Sequence, residues 1–281
     1  MMFDMMSMLP QPGERFAWSQ TAGADALVCQ ALEPYARHFF TTRAWRLGSE
    51  AGGQTESGWA DVAHAAGVQP DRLLRLHQVH GATVVVATAN RQSGQLPDAD
   101  IIVAGDPAVA LAIQTADCVP LLIADPRSGA VAAAHAGWRG IAAGVPQAAV
   151  AALHREFGSA PDDLIAAIGP SVGACCYEVG RDVREAFAAA SFGADRLSRW
   201  FVDAPRPTAT NPSMAGLPAM RRADHWYFDG PSAVRDQLEA CGLQRDRVHT
   251  SDICTASHLA LCSYRRDGAA AGRIAAVIRR R

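Results

Sequence analysis

Three short stretches of this chain hold side chains that bind transition metals. They are Thr115-Ala116-Asp117-Cys118, Ala134-His135-Ala136-Gly137-Trp138-Arg139-Gly140 and His77-Gln78-Val79-His80-Gly81. Two imidazoles and a thiolate suit Zn²⁺, and a three-ligand set leaves one position for water or substrate. An open position implies chemistry, whereas a closed four-ligand set implies a structural clamp. Within HQVH, either His77 or His80 can supply the second imidazole. The pair shares a face on a helix and points to opposite faces in a strand. Cysteine is also one of the commonest core residues, so by type alone Cys118 reads first as packing. Asp117 is the nearest carboxylate and a candidate general acid or base; a turn-forming aspartate is the competing reading. The Gly137–Gly140 turn lets backbone approach a ligand closely. Its N–H groups form a candidate anion site at a helix start, to which Arg139 adds charge.

Composition narrows the chemistry. The 281 residues are 49% apolar, enough for a substantial core, and match one large domain spanning 1–281 in which residues 1–36 are weakly patterned. A net charge of −2 gives no electrostatic footprint for nucleic acid or an anionic membrane. Every one of the 26 basic side chains is arginine. A Schiff-base lysine and a Walker-type phosphate lysine are therefore both excluded. Anion recognition must rest on Arg or backbone N–H groups. The Met-rich start (MMFDMMSMLP) lacks the basic and long apolar regions of a signal peptide. Seven irregularly spaced cysteines argue against a secreted disulfide framework and predict a cytoplasmic protein. Adjacent Cys175 and Cys176 predict a buried thiol pair.

The elements that must position these residues are mostly short apolar runs. Strands are predicted over 38–42, 83–87, 101–103, 109–114, 119–124, 130–134, 164–168 and 273–278, with 119–135 a hairpin about Asp125-Pro126-Arg127-Ser128-Gly129. Helical spacing covers 61–66, 141–157, 182–190 and 232–241. Residues 202–223, rich in Pro, Thr and Ala, predict an exposed loop, and Arg279–Arg281 a solvated tail. The order predicts an α/β fold, a mixed sheet core flanked by helices.

In the blocks QVHG, DADIIVAG, TADCVPLLI, AAHAGWRG, IGPSVGACCYEVG, DICT and SYRRDG the chain resembles the laccase-domain family, also known as polyphenol oxidases and purine nucleoside phosphorylases. The resemblance runs from about residue 77 to 275, and TADC followed by HAGWRG is its most specific part. It implies an α/β sandwich and a zinc triad of His80, Cys118 and His135, which favours His80 over His77. It also makes Arg43, in Phe40-Thr41-Thr42-Arg43, a candidate catalytic and phosphate-binding residue. Tyr177 and Arg265 become substrate or anion contacts, and Asp252 and Cys254 supporting residues. His258 lies outside the shared blocks. The chain departs from the family at Ala44–Glu50 and in the longer 202–223 loop, two segments expected to line the pocket rim.

The activity implied by the resemblance is phosphorolysis of adenosine, inosine and guanosine, with adenosine deamination and methylthioadenosine cleavage as further reactions. Purine nucleosides and phosphate are then the partners, with no obligate protein partner. The zinc deaminase signature H-x-E…P-C-x-x-C is absent, so any deamination uses another constellation. A copper-dependent polyphenol oxidase needs many imidazoles, and the chain has nine His with no H-x-H pair. Cu²⁺ is instead a possible substitute in the zinc site. The remaining alternatives are a hydrolase that edits peptidoglycan precursors through a Cys–His nucleophile and a non-catalytic zinc-binding protein.

Overall fold

The computed structural model describes residues 9–49, 55–88 and 96–281. The Met-rich start up to residue 8 and Glu50 lie outside the described residues. The strands are β1 (Phe16–Thr21), β2 (Ala24–Cys29), β3 (Ala36–Thr41), β4 (Leu73–Leu74), β5 (Val84–Val86), β6 (Ile101–Ala104), β7 (Ala110–Thr115), β8 (Val119–Ala124), β9 (Val131–Ala136), β10 (Ile165–Ile168), β11 (Glu178–Gly180), β12 (Phe201–Val202), β13 (His225–Phe228), β14 (Val248–Thr250) and β15 (Ile274–Arg280). The helices are α1 (Glu56–Ala66), α2 (Trp138–Ala142), α3 (Val145–Phe157), α4 (Arg181–Ala189), α5 (Ala194–Trp200), α6 (Gly230–Ala240) and α7 (Tyr264–Asp267).

Two mixed six-stranded sheets, ordered β1-β2-β3-β15-β7-β4 and β14-β10-β8-β9-β6-β5, stack face to face, and a three-stranded sheet β11-β13-β12 stands beside them. The period of two in each strand divides its side chains between two cores. Leu111 and Ile113 of β7 join Leu122 of β8 and Val131 of β9 between the sheets. Ala110 and Ala112 face outward under Trp59 and Val62 of α1. On the second sheet, Leu121, Ile123, Ala132 and Ala134 face outward under Val145, Ala149 and Leu153 of α3 and Val234 and Leu238 of α6. Both faces of both sheets are therefore covered. That is why these antiparallel strands read as unbroken apolar runs rather than alternating ones. The expected α/β sandwich is present, built on two main sheets. Among the described residues no helix is long and apolar enough to cross a membrane.

Three expectations need correction. Residues 16–29 are a hairpin, turned at Ala22 and Gly23, both at positive φ as a two-residue hairpin turn requires. The helix expected over 141–157 is broken at Gly144, φ 83°. Pro146 follows and has no N–H to donate to Ala142, so the chain restarts as α3. Arg279 and Arg280 belong to β15 rather than to a solvated tail. Their guanidinium groups donate to the carbonyl oxygens of Pro107 (2.7 Å) and Gly105 (2.9 Å). The inter-sheet core sets the stability: Leu111→Ala is expected to cost about 2–5 kcal/mol, read from the shift in chemical denaturation midpoint.

Candidate metal centre and adjoining cavity

The second sheet brings the metal-binding types to one of its ends. In the β8–β9 hairpin Pro120 pairs with His135 and Val119 with Ala136, so Cys118 and Gly137 face each other just beyond. Ile101 of β6 pairs with Ala134, which sets Asp100 beside His135. His80 enters from the loop before β5, the neighbour of β6. Three residues scattered over 55 positions of sequence thus meet because β5, β6, β8 and β9 all have the relevant termini at the same edge. The ligating atoms of His80, Cys118 and His135 lie within 4.8 Å of one another. Cys118 Sγ is 4.0 Å from His80 Nε2. His77 is elsewhere, its Nδ1 2.7 Å from the Asp98 carboxylate at the surface.

Asp100, fully buried, organises the group. One oxygen accepts from the N–H of His80 (3.0 Å) and faces His135 Nδ1 (2.8 Å); the other accepts from Gly81 N–H (2.6 Å) and Val79 N–H (3.3 Å). Burial pushes its carboxyl up, but His135 and the loop N–H groups outweigh that and hold it below the usual range. A proton held at His135 Nδ1 leaves Nε2 for a metal. Burial likewise raises the Cys118 thiol, yet the two imidazoles hold it down at about 6. His135, lowered by burial, is raised to about 9 by the Cys118 thiolate and Asp100. The centre thus favours a thiolate beside a positive charge, the arrangement that a bound cation also satisfies. Donor types, proximity and tautomer control together fit Zn²⁺ with one position open.

Backbone geometry enforces the fit. His80 (φ 61°) and Asp117 (φ 91°) both occupy left-handed conformations. A Cβ at Gly137 would lie 2.9 Å from His80 Cδ2 and 3.1 Å from Cys118 Sγ. Gly137 is therefore needed to admit both ligands, and the helix it caps, α2, is only five residues long.

Beside the three ligands lies a cavity of about 650 Å³, the size of a small-ligand pocket. Tyr177 and Phe228 contribute aromatic wall, with ring centroids 6.1 Å apart. Arg139, Arg265 and Arg273 contribute charge. Arg139 stacks on Trp138 at 4.2 Å, and Arg265 lies 5.0 Å from the Tyr177 ring centre while donating to Glu178 O (2.8 Å). Burial raises the Tyr177 hydroxyl, which stays protonated. Gln78 also lines the cavity and exchanges two 2.8 Å hydrogen bonds with the Gln114 backbone, tying the His80 loop to β7.

Asp117 reaches the cavity wall with both oxygens engaged, one by Thr255 Oγ1 (2.6 Å) and the other by the Arg265 N–H. Burial raises its carboxyl. Arg43 is not among the described cavity-lining residues. Its guanidinium pairs with Asp267 of α7, the helix that carries Tyr264 and Arg265. Residues 44–49 and 202–223 do not line the cavity either, correcting the expected rim. Instead, Asn211 binds the backbone of Asp252 and Cys254 (2.7 and 2.8 Å). His258 faces Asn211 Oδ1 at 3.3 Å, and Cys254 joins Cys175 and Cys176 in a second group of thiols. Sequence reasoning passed over Asp100, Gln78, Arg273 and Thr255. Only Asp100 had a visible signal, a carboxylate at the head of an otherwise apolar strand.

Residues 51–281 match the family model described as multi-copper polyphenol oxidoreductase laccase. A purine nucleoside phosphorylase of Streptomyces coelicolor is 39% identical over 206 residues, covering 73% of this chain and 74% of the relative. The purine nucleoside phosphorylase YfiH of Escherichia coli is 33% identical, covering 76% of each chain. The crystal structure of YlmD from Geobacillus stearothermophilus superposes with a TM-score of 0.76 at 28% identity, over 94% of this chain and 98% of the other.

Asp100→Asn keeps the volume but places N–H₂ against N–H groups. It is expected to weaken Zn²⁺ binding about 10–100-fold in chelator competition.

Proposed function

The chain belongs to the multi-copper polyphenol oxidoreductase laccase family, and on that footing we propose a zinc-dependent purine nucleoside phosphorylase acting on adenosine, inosine and guanosine. The observation that carries this reading is one cavity wall that combines His80, Cys118 and His135 with Tyr177, Phe228 and three arginines. Phosphorolysis forms a bond from phosphate oxygen to C1′ and breaks the bond from C1′ to the purine nitrogen, which then takes a proton. It requires a held anion, a held base and stabilisation of the departing purine.

In this reading Arg139 and Arg265 bind phosphate, and Tyr177 with Phe228 packs against the base. The Tyr177 hydroxyl, kept protonated by its burial, donates a hydrogen bond. Zn²⁺ held by His80, Cys118 and His135 supplies Lewis acidity at the cavity wall. Asp117 is the candidate proton carrier, and a transfer through it requires release of Thr255 Oγ1 or the Arg265 N–H. Arg43 serves as a positioning residue, holding α7 through Asp267. Adenosine deamination and methylthioadenosine cleavage are further reactions of the same cavity, since both begin with a bound purine. Cu²⁺ is accepted by the same donor set. Among the described residues no cluster of three imidazoles accompanies it, which favours the nucleoside reading over a multi-copper oxidase.

The test is turnover of adenosine and inosine, with and without phosphate, by chromatographic product detection. Phosphate-dependent release of free base, reduced at least about 100-fold in His80→Ala and Cys118→Ala, is the expected result. Retained activity in metal-free protein with rapid alkylation of Cys118 would point instead to a thiol nucleophile and a hydrolase. Absence of base and inosine at every metal loading would end the purine reading.

A further inference from the structure

Cys175, Cys176 and Cys254 bring three sulfur atoms within 4.8 Å of one another, all buried, in a pocket walled by Val172, Ala256, Met214 and Leu217. Three of the chain's seven cysteines therefore meet at one point. Thiols gain little from one another as hydrogen-bond partners, so packing alone gives weak reason for such convergence. A backbone donor also points into the group. Gly173 N–H donates to Cys254 Sγ at 3.5 Å. Ser257 Oγ lies 3.7 Å from Cys175 Sγ and 3.6 Å from Cys176 Sγ. Its own proton goes to Pro212 O at 2.7 Å, so its lone pairs face the sulfurs.

We propose that Cys175, Cys176 and Cys254 form a second, buried site for a thiophilic closed-shell cation, separate from the His80–Cys118–His135 centre. Soft thiolates select Cu⁺ and Zn²⁺. Three sulfurs complete a trigonal Cu⁺ shell, while Zn²⁺ takes Ser257 Oγ as its fourth donor. Loading forms three metal–sulfur bonds and releases the thiol protons to solvent; no electron is transferred.

The site is wired to the cavity through the backbone. Cys176 precedes Tyr177, and Cys254 precedes Thr255, whose hydroxyl holds Asp117. Thr255 N–H also donates to Ser171 O, and Val172 N–H to Asp117 O. A cation across the three sulfurs fixes these segments relative to each other. The long 202–223 segment gains a role here. Met214 and Leu217 cover the thiols, Pro212 O accepts from Ser257, and Asn211 holds the Cys254 backbone, so this segment is the gate for loading.

The test uses the full chain carrying Cys118→Ser, handled without oxygen and given one equivalent of Cu⁺ or Zn²⁺ in separate samples. One retained equivalent after desalting is expected. X-ray absorption should show a sulfur shell of three, with one added light scatterer for Zn²⁺ alone. Adding Cys254→Ser or Cys175→Ala should lose that equivalent. The unsubstituted chain, which does not depend on variant folding, should hold two Zn²⁺ with an average of two sulfurs each. A nitrogen-dominated shell, no retained metal in a folded Cys118→Ser chain, or a native disulfide joining Cys254 to either partner would each overturn the site.

Discussion

A single buried carboxylate holds the candidate metal centre in shape. Asp100 accepts from three consecutive backbone N–H groups of the His80 loop and faces His135 Nδ1. A fully buried carboxylate with fewer partners is strongly destabilising, whereas one surrounded by donors is not. The same contacts offset the left-handed backbone of His80, a conformation that costs on the order of 1–3 kcal/mol in a non-glycine residue. Remove the carboxylate and two of the three ligands lose orientation together. The centre is therefore one mechanical unit extending from the loop, through the head of β6, to the end of β9.

That unit rests on a stiff support. With every main-sheet face covered, the strands behind the site are packed on both sides and their ends have little freedom. Alanines at 132, 134 and 136 keep the outer face of β9 shallow, so α2 and α3 lie close to it. Ligands placed at strand ends, with loops adding only the aromatic and cationic wall, combine a rigid centre with an adaptable cavity. The TADC turn also carries the chain from the first sheet to the second, between β7 and β8, so any shift between the sheets is felt at Asp117 and Cys118.

Much of this was legible in the sequence because the signals are local. HQVHG, TADC and HAGWRG hold their donors within a few residues, and the strands announce themselves as short apolar runs between turn residues. The rest depends on contacts remote in sequence. Arg43 meets Asp267 across 224 positions, and Thr255 meets Asp117 across 138. No pattern around either residue indicates its partner. Cys254 joined Cys175 and Cys176 through the Ser171–Cys254 bridge, which no spacing rule encodes. The β1–β2 hairpin was hidden because polar Gln20 and Asp25 share a face with inward Phe16, Trp18, Leu27 and Cys29, while Ala26 and Val28 make the other face apolar too, giving a weak mixed pattern.

The placement of β15 bears on how the protein is made. Ile274–Arg280 lies between β3 and β7, pairing with both, and Ile274 is registered with Thr115 at the entrance to the TADC turn. On the ribosome, β3 and β7 emerge long before their shared neighbour, at about 5–20 residues per second. Until residues 274–280 leave the exit tunnel, two strand edges stay open and the Thr115 turn lacks its support. Nascent chains are thus exposed to chaperones and to edge pairing for most of synthesis. The candidate metal centre would then take its final shape only once β15 has paired, so translation of its donors and any uptake of an ion would be separate events.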